Sequence, residues 1–174
     1  MLRVWVGGIY EDNFFYMTKH AFAPYLISPV NDKGSIKIFA ISDKFEKEKA
    51  TVEITLVDFD GKILKQDRKD IVIEENSSTE VYGLLELNWV NESTRKNVVL
   101  SMKLWVKKES VSTNKYYFEK RKVLNLLKVK IEIKQTDANE IELTTSKLAK
   151  SVWLLLPATN NAFSDNYFDL LSGE

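Results

Sequence analysis

The chain has 174 residues, of which 44% are hydrophobic and 29% are charged. This length allows one complete domain, or one complete and one partial domain, each with a buried core. The 25 basic and 25 acidic residues balance, so nothing in the composition points to nucleic acid or an anionic membrane as a partner. Because cysteine is absent and His20 is the single histidine, disulfides and Cys- or His-rich metal sites are excluded. We expect no metal and no cofactor.

The N-terminal residues predict a short strand followed by a short helix. Residues 2–8 are rich in β-forming side chains. Residues 10–22 suit a helix, which Pro24 ends because the residue before a proline avoids the helical region. The acidic residues come too early for a secretory signal peptide, and no apolar run is long enough to span a membrane. We therefore expect no membrane association and, for the chain as written, a cytoplasmic location.

From Tyr25 to Phe118 the pattern changes to strands. The clearest is Asn97–Val106, where five apolar residues recur at every second position, as in a strand that crosses a sandwich core. Asp60-Gly61 favours a hairpin turn, since both residues tolerate positive φ. The other predicted strands follow: Tyr25–Ile27, Ser35–Ile41, 52–56, Lys62–Lys65, Ile71–Ile73, Thr79–Leu85 and Lys115–Phe118.

A second β-rich unit begins near Lys122. Strands are predicted at Lys128–Lys134, 141–143 and Val152–Leu156, and a turn and short apolar strand follow within Phe163–Glu174. The whole pattern predicts an all-β protein with two immunoglobulin-like β-sandwich domains in tandem, the second incomplete, and one short N-terminal helix. The expected limits are 1–22 for the N-terminal segment, 23–120 for the first sandwich and 121–174 for the second.

Two stretches resemble a known family. Phe163–Glu174, with the sequence Phe-Ser-Asp-Asn-Tyr-Phe-Asp-Leu-Leu-Ser-Gly-Glu, is similar to the C-terminal signature of β-mannosidases of glycoside hydrolase family 2. Lys19–Ser28 resembles the join between the last helix of the catalytic barrel and the penultimate domain of these enzymes. This resemblance implies that residues 19–174 correspond to the two accessory domains at the end of a β-mannosidase.

A third stretch, Met1–Tyr16, resembles an early strand and turn of the catalytic barrel, although Val6 departs from the family pattern. The resemblance implies an internal deletion of most of the barrel between Tyr16 and Met17, after which residues 1–16 should pack poorly. It also implies that Arg3 and Trp5 would contact sugar, but only within an intact barrel.

The resemblance implies that this chain is not an enzyme. Retaining glycosidases need two carboxyl groups about 5–5.5 Å apart, and the family places both on the barrel. Trp89-Val90-Asn91-Glu92 faintly resembles the family's acid/base motif, but it falls in a predicted loop. The expected function is that of a non-catalytic fragment of an enzyme that removes terminal β-D-mannose from mannose-containing oligosaccharides with retention of configuration.

A stand-alone carbohydrate-binding module is the alternative. Trp89, Trp105 and Trp153 are candidates for a platform on which a sugar stacks. Trp105 is the strongest, because it lies on the strand face opposite the apolar stripe; packing at an interface or in a core is its other interpretation. A general interaction protein is a third class. An exposed strand edge in the incomplete second domain could also allow self-association.

Overall fold

A computed structural model describes residues 3–6, 13–156 and 163–174. The elements, in chain order, are β1 (Arg3–Val6), α1 (Asn13–Ala21), β2 (Tyr25–Asp32), β3 (Ser35–Ser42), β4 (Glu48–Asp58), β5 (Ile63–Ile73), β6 (Ser77–Leu85), β7 (Val98–Val106), β8 (Glu109–Tyr117), β9 (Ile131–Asp137), β10 (Glu140–Thr145), β11 (Ala149–Leu155) and β12 (Phe168–Leu170). Two short 3₁₀ turns occur at Glu86–Asn88 and Arg121–Val123. The described chain is therefore all-β with one short helix, as predicted. This helix is too short to span a membrane.

The chain forms two compact units. The first, called here the large sandwich, contains residues 21–58 and 62–125. The second, called here the terminal unit, contains residues 1–20, 59–61 and 126–174. The domain limits given above stay a prediction.

In the large sandwich, a three-stranded sheet of order β2-β3-β6 faces a four-stranded sheet of order β5-β4-β7-β8. All strand pairs are antiparallel. Every second residue of a strand points into the space between the sheets, which explains the alternation in the sequence. The predicted apolar stripe of β7 is confirmed as core: Leu100, Met102 and Leu104 are fully buried and Val98 and Val106 nearly so.

One edge of the large sandwich is closed by side chains of β8. The backbone N–H of Ile27 in β2 donates to Ser112 Oγ at 3.1 Å, and Asn114 Nδ2 donates to the carbonyl of Ile27 at 3.0 Å. These bonds satisfy backbone groups of β2 that have no partner strand on that side.

The terminal unit has a three-stranded sheet of order β1-β11-β12 and a two-stranded sheet of β9 and β10. Its core holds Ala149, Val152, Leu154 and Leu170, with Val4 and Ile141 among the partly buried residues around it. The outer sides of β9 and β10 have no strand partner among the described residues. Self-association through such an edge stays a prediction.

The prediction that residues 1–16 pack poorly holds only in part, because β1 and Tyr16 contact the terminal unit whereas Phe14 and Phe15 are exposed. All four residues of β1 pair with β11 in an antiparallel register, from Arg3 opposite Leu155 to Val6 opposite Val152. Tyr16 is buried, and its hydroxyl donates to the carbonyl of Phe163 at 3.2 Å. A segment with β propensity can pair with an open edge strand even when it lacks the strands that would flank it in an intact barrel.

One local prediction also needs correction. The strands predicted at Lys62–Lys65 and Ile71–Ile73 belong to one strand, β5, which begins at Ile63 and whose charged middle residues lie on an exposed edge. The hairpin predicted at Asp60-Gly61 is confirmed, since β4 and β5 are an antiparallel pair. At the β4–β5 turn, Gly61 has positive φ (91°), whereas Asp60 is not among the residues with positive φ. The turn has three residues closed by the N–H of Asp58, which donates to the carbonyl of Lys62 at 3.0 Å.

Candidate functional site, a cleft beside Trp105

The outer face of the four-stranded sheet carries a cleft at one end. Trp105 points there because its neighbours in β7, Leu104 and Val106, both point into the core. Thr51 of β4 lies directly opposite Trp105, and Asp70 of β5 lies directly opposite Thr51. One row across three strands therefore places an indole, a hydroxyl and a carboxylate on the same face.

The cleft has a volume of about 640 Å³ and is open to solvent. Its lining consists of Lys49, Ala50, Thr51, Arg68, Asp70, Ile71, Val72, Trp105, Lys107 and Lys108. A flat indole with hydrogen-bonding groups around it suits a sugar ring, which offers C–H groups on its faces and hydroxyls at its edges.

A β-bulge lies next to Trp105. Leu104 pairs with Ser112 but Trp105 pairs with Ser110, so Val111 is the extra residue in β8. Val111 packs against the core from this position. β-Bulges change the direction of nearby side chains and often lie beside functional sites. Here the bulge lies next to Trp105, on the neighbouring strand.

The indole N–H of Trp105 has no hydrogen-bond partner among the described residues, although Nε1 is buried. A buried donor without an acceptor costs about 1–3 kcal/mol. Because Nε1 has almost no accessible surface, a ligand in the cleft would not reach this N–H without a rearrangement. Thr51 and Asp70 are already paired with each other, since Thr51 Oγ1 donates to Asp70 Oδ1 at 2.7 Å.

Two cations of the cleft have acidic partners. Arg68 Nε lies 3.4 Å from Glu53 Oε2, and Lys107 Nζ lies 2.9 Å from Glu48 Oε2. The hydrogen bond that Lys107 donates to Glu48, and then the charge of Glu48, raise the pKa of Lys107 above its ordinary value. The side chains of Lys49 and Lys108 have no hydrogen-bonding or ion-pair partner among the described residues.

The other tryptophans have different surroundings. Trp89 lies between two smaller clefts, and the ammonium of Lys65 lies 5.5 Å from its ring centroid. Trp153 stacks on Tyr167 at a centroid distance of 6.1 Å and an angle of 14°. One face of Trp153 is therefore covered by the chain's own aromatic ring, whereas Trp105 faces a cleft.

Arg3 and Trp5 lie on β1, an edge strand of the terminal unit. The Arg3 side chain is exposed, and the backbone of Trp5 pairs with that of Trp153. This pairing is antiparallel, whereas the strands of a (β/α)₈ barrel are parallel. A sugar-binding role of Arg3 and Trp5 within an intact barrel stays a prediction.

Glu92 lies in a turn, as predicted, and lines none of the three clefts described above. Its side chain is 91% exposed and pairs with Arg95 at 3.2 Å. The neighbouring Asn91 organises the turn, because its Oδ1 accepts the backbone N–H groups of Ser93 and Thr94, both at 3.0 Å. The local sequence therefore serves the turn.

The C-terminal segment Phe163–Glu174 is occupied by internal contacts. Asn166 is buried, and its side chain bonds both backbone groups of Leu154, accepting at 2.8 Å and donating at 2.9 Å. The carboxylate of Asp169 accepts from the N–H of Ser151 at 2.7 Å and from Lys150 Nζ at 2.9 Å. Ser151 has a φ of 56° at an irregularity between β11 and β12. The signature thus holds an irregular strand pair together.

The residues that line the Trp105 cleft could be predicted only in part. The alternation of β4 indicates that Thr51 faces away from the core. The positions of Arg68 and Asp70 depend on the register of β5, and the sequence shows no apolar alternation there.

The large sandwich and the terminal unit both resemble known domains. The Mannosidase Ig/CBM-like domain family matches residues 34–122, and the family described as an Ig-fold domain matches residues 124–174. These matches confirm the two Ig-like domains. In sequence, no curated protein matches the chain.

The solved structures include a β-D-mannosidase from Dictyoglomus thermophilum, with a TM-score of 0.76 and 23% identity. The match covers 92% of this chain and 20% of the mannosidase, so the chain spans about a fifth of that enzyme's length.

A family 2 β-glucuronidase matches with a TM-score of 0.39 and 11% identity over 53% of this chain and 11% of its own. A putative β-galactosidase from Bacteroides fragilis matches with a TM-score of 0.37 and 9% identity over 70% of this chain and 18% of its own. The chain belongs to the Mannosidase Ig/CBM-like domain family, and an Ig-fold domain follows that domain directly.

Proposed function

We propose that the chain is a non-catalytic accessory segment of a β-mannosidase, whose catalytic part hydrolyses terminal non-reducing β-D-mannose with retention of configuration. The observation that carries this proposal is the family match over residues 34–122, followed at residue 124 by the Ig-fold domain. The fold of the D. thermophilum mannosidase over 92% of the chain supports it.

The helix α1 gives further support, because its two faces differ. Tyr16, Lys19 and His20 share one face and bond to residues 163–165, among them His20 Nε2 to Asp165 Oδ1 at 2.9 Å. The other side is apolar and exposed: Phe14 is 78% exposed, Phe15 66% and Met17 62%. Large exposed apolar groups in a cluster are typical of a surface that another domain covers.

An assay with an aryl β-mannoside tests the absence of catalysis. We expect no turnover above that of a buffer blank. The Glu92→Gln variant is the matched control, because Glu92 is the residue closest to the family's motif and is highly exposed. Turnover that survives purification and is lost in this variant would overturn the proposal.

Carbohydrate binding at the Trp105 cleft is a second candidate function. The row formed by Asp70, Thr51 and Trp105, which lies at the cleft, favours it. The alternative is that Trp105 serves only in packing, but the cleft leaves room beside the indole.

Calorimetric titration with oligosaccharides tests this second function. We expect binding by the wild-type chain and its loss in Trp105→Ala. Trp89→Ala is the matched control, since Trp89 is also partly buried and belongs to the same sandwich. Equal binding by both variants and the wild type would place the sugar elsewhere and contradict the assignment.

A further inference from the structure

The charge of the Trp105 cleft differs from that of the chain. The chain as a whole has no net charge. The cleft is lined by four cationic side chains, Lys49, Arg68, Lys107 and Lys108, and by one acidic side chain, Asp70. The cleft therefore has an excess of positive charge that does not follow from the overall composition.

Part of the excess is not neutralised by neighbouring acids. Glu53 and Glu48 pair with Arg68 and Lys107. Lys49 and Lys108 have no partner among the described residues, and both line the cleft. At least two ammonium groups are thus available to a ligand, on a surface that also presents an indole.

The β7–β8 turn places two cations at the cleft, although its backbone conformation does not favour lysine. Val106 pairs with Glu109, so Lys107 and Lys108 are the two turn residues. Their φ angles are 50° and 71°. Two-residue turns of this kind favour Asn-Gly, since a positive φ costs other residues about 1–2 kcal/mol each. Two lysines in these positions keep charge at the cleft at the expense of stability.

We propose that the Trp105 cleft binds an acidic oligosaccharide, in which a pyranose ring stacks on Trp105 and a carboxylate or sulfate group pairs with Lys49 and Lys108. The inference rests on the second proposed function, carbohydrate binding at this cleft, and specifies its ligand class. A neutral mannoside would leave both ammonium groups without a counter-charge. An acidic sugar supplies that charge.

The test compares three probes of equal length by calorimetry at low ionic strength: a β-1,4-mannose oligomer, a β-1,4-mannuronate oligomer and a sulfated β-1,4-mannose oligomer. We expect at least one acidic oligomer to bind about 10-fold or more tightly than the neutral oligomer, as for one additional charge-assisted contact. The two acidic probes distinguish carboxylate from sulfate as the recognised group.

Two double variants locate the binding. Lys49→Gln with Lys108→Gln should abolish the preference for acidic oligomers and reduce the salt dependence of binding. Lys96→Gln with Lys120→Gln is the matched control, since it makes the same change in net charge at exposed lysines that do not line the cleft. This control should bind as the wild type does.

Several outcomes would contradict the inference. Equal affinity for neutral and acidic oligomers would overturn the ligand class but leave carbohydrate binding in place. No binding of any oligomer would overturn both. Equal losses in the two double variants, or equally tight binding of a short DNA duplex, would indicate general attraction of polyanions and overturn a specific site.

Discussion

The Trp105 cleft and the C-terminal segment each combine an aromatic ring with acidic side chains. In the structure they are opposites. In Phe163–Glu174, Asn166 and Asp169 are bonded to the chain itself, and Tyr167 stacks on Trp153. At the cleft, the side-chain ammonium groups of Lys49 and Lys108 have no partner among the described residues. The comparison teaches that similar residue types can be bonded within the chain in one region and left without partners in another.

The largest effect is expected from Asn166→Ala, which tests the structural side of this comparison. The change leaves the buried N–H and C=O of Leu154 without their partners. Because each unpaired buried group costs about 1–3 kcal/mol, we expect the free energy of unfolding to fall by about 3 kcal/mol. Urea unfolding followed by circular dichroism measures it. Asn88→Ala, at an exposed amide, is the control and should change little; equal effects would contradict the role of Asn166.

The second-largest loss of stability is expected from Gly61→Ala. Gly61 has a φ of 91°, and a Cβ there would lie 2.5 Å from Ser172 Cβ at the end of the C-terminal segment. We expect a loss of about 2–3 kcal/mol, from backbone strain and overpacking together. Thermal unfolding of the variant measures this loss.

Gly173→Ala separates the two causes. Its φ is 81°, but nothing lies within 4 Å of the added Cβ. It should therefore show only the backbone cost, about 1 kcal/mol. A loss in Gly173→Ala as large as in Gly61→Ala would show that contact with Ser172 is unimportant.

The stability of the large sandwich should depend on pH through Tyr82, whose hydroxyl donates a hydrogen bond to Asp67. Burial, and then the hydrogen bond to Asp67 at 2.5 Å, raise the pKa of Tyr82 to about 12. Because the ordinary pKa of tyrosine is about 10, the folded state favours the neutral phenol. This contribution to stability is fully present below pH 10 and is lost as the pH rises from about 10 to 12.

We expect this contribution to be about 1 kcal/mol, less than the full linkage value, because the phenol is partly exposed to water. Unfolding temperatures measured between about pH 9 and 12 in the wild type and in Tyr82→Phe would reveal it. An identical alkaline decline in both proteins would remove Tyr82 as the cause.

The smallest effect is expected from Trp105→Phe. Because Nε1 has no partner, removing the N–H breaks no hydrogen bond and relieves its cost of about 1–3 kcal/mol. The smaller ring loses packing, which offsets this gain, so we expect the free energy of unfolding to change by about 0.5 kcal/mol or less. Urea unfolding checks this value. A loss above about 2 kcal/mol would show that the indole itself stabilises the fold.

Much of the fold was predictable because the alternation of apolar and polar residues is local. The stripe of β7 identified its own strand, its buried face and the outward direction of Trp105. The strand β5 was predicted only at its ends, since an exposed edge strand buries little and carries no apolar alternation. The site followed the same division: the tryptophan could be chosen from its strand, but Arg68 and Asp70 could not.

The sequence by itself determined the all-β class, the order of most strands and the likeness to the accessory domains of β-mannosidases. Each of these depends on short-range patterns, namely periodicity, turn residues and motifs. Only the tertiary structure decided that β1 pairs with β11, that Asn166 completes the ladder at Leu154, and that four cations meet beside Trp105. These features join residues far apart in the chain, and strand register, which no single segment encodes, brings them together.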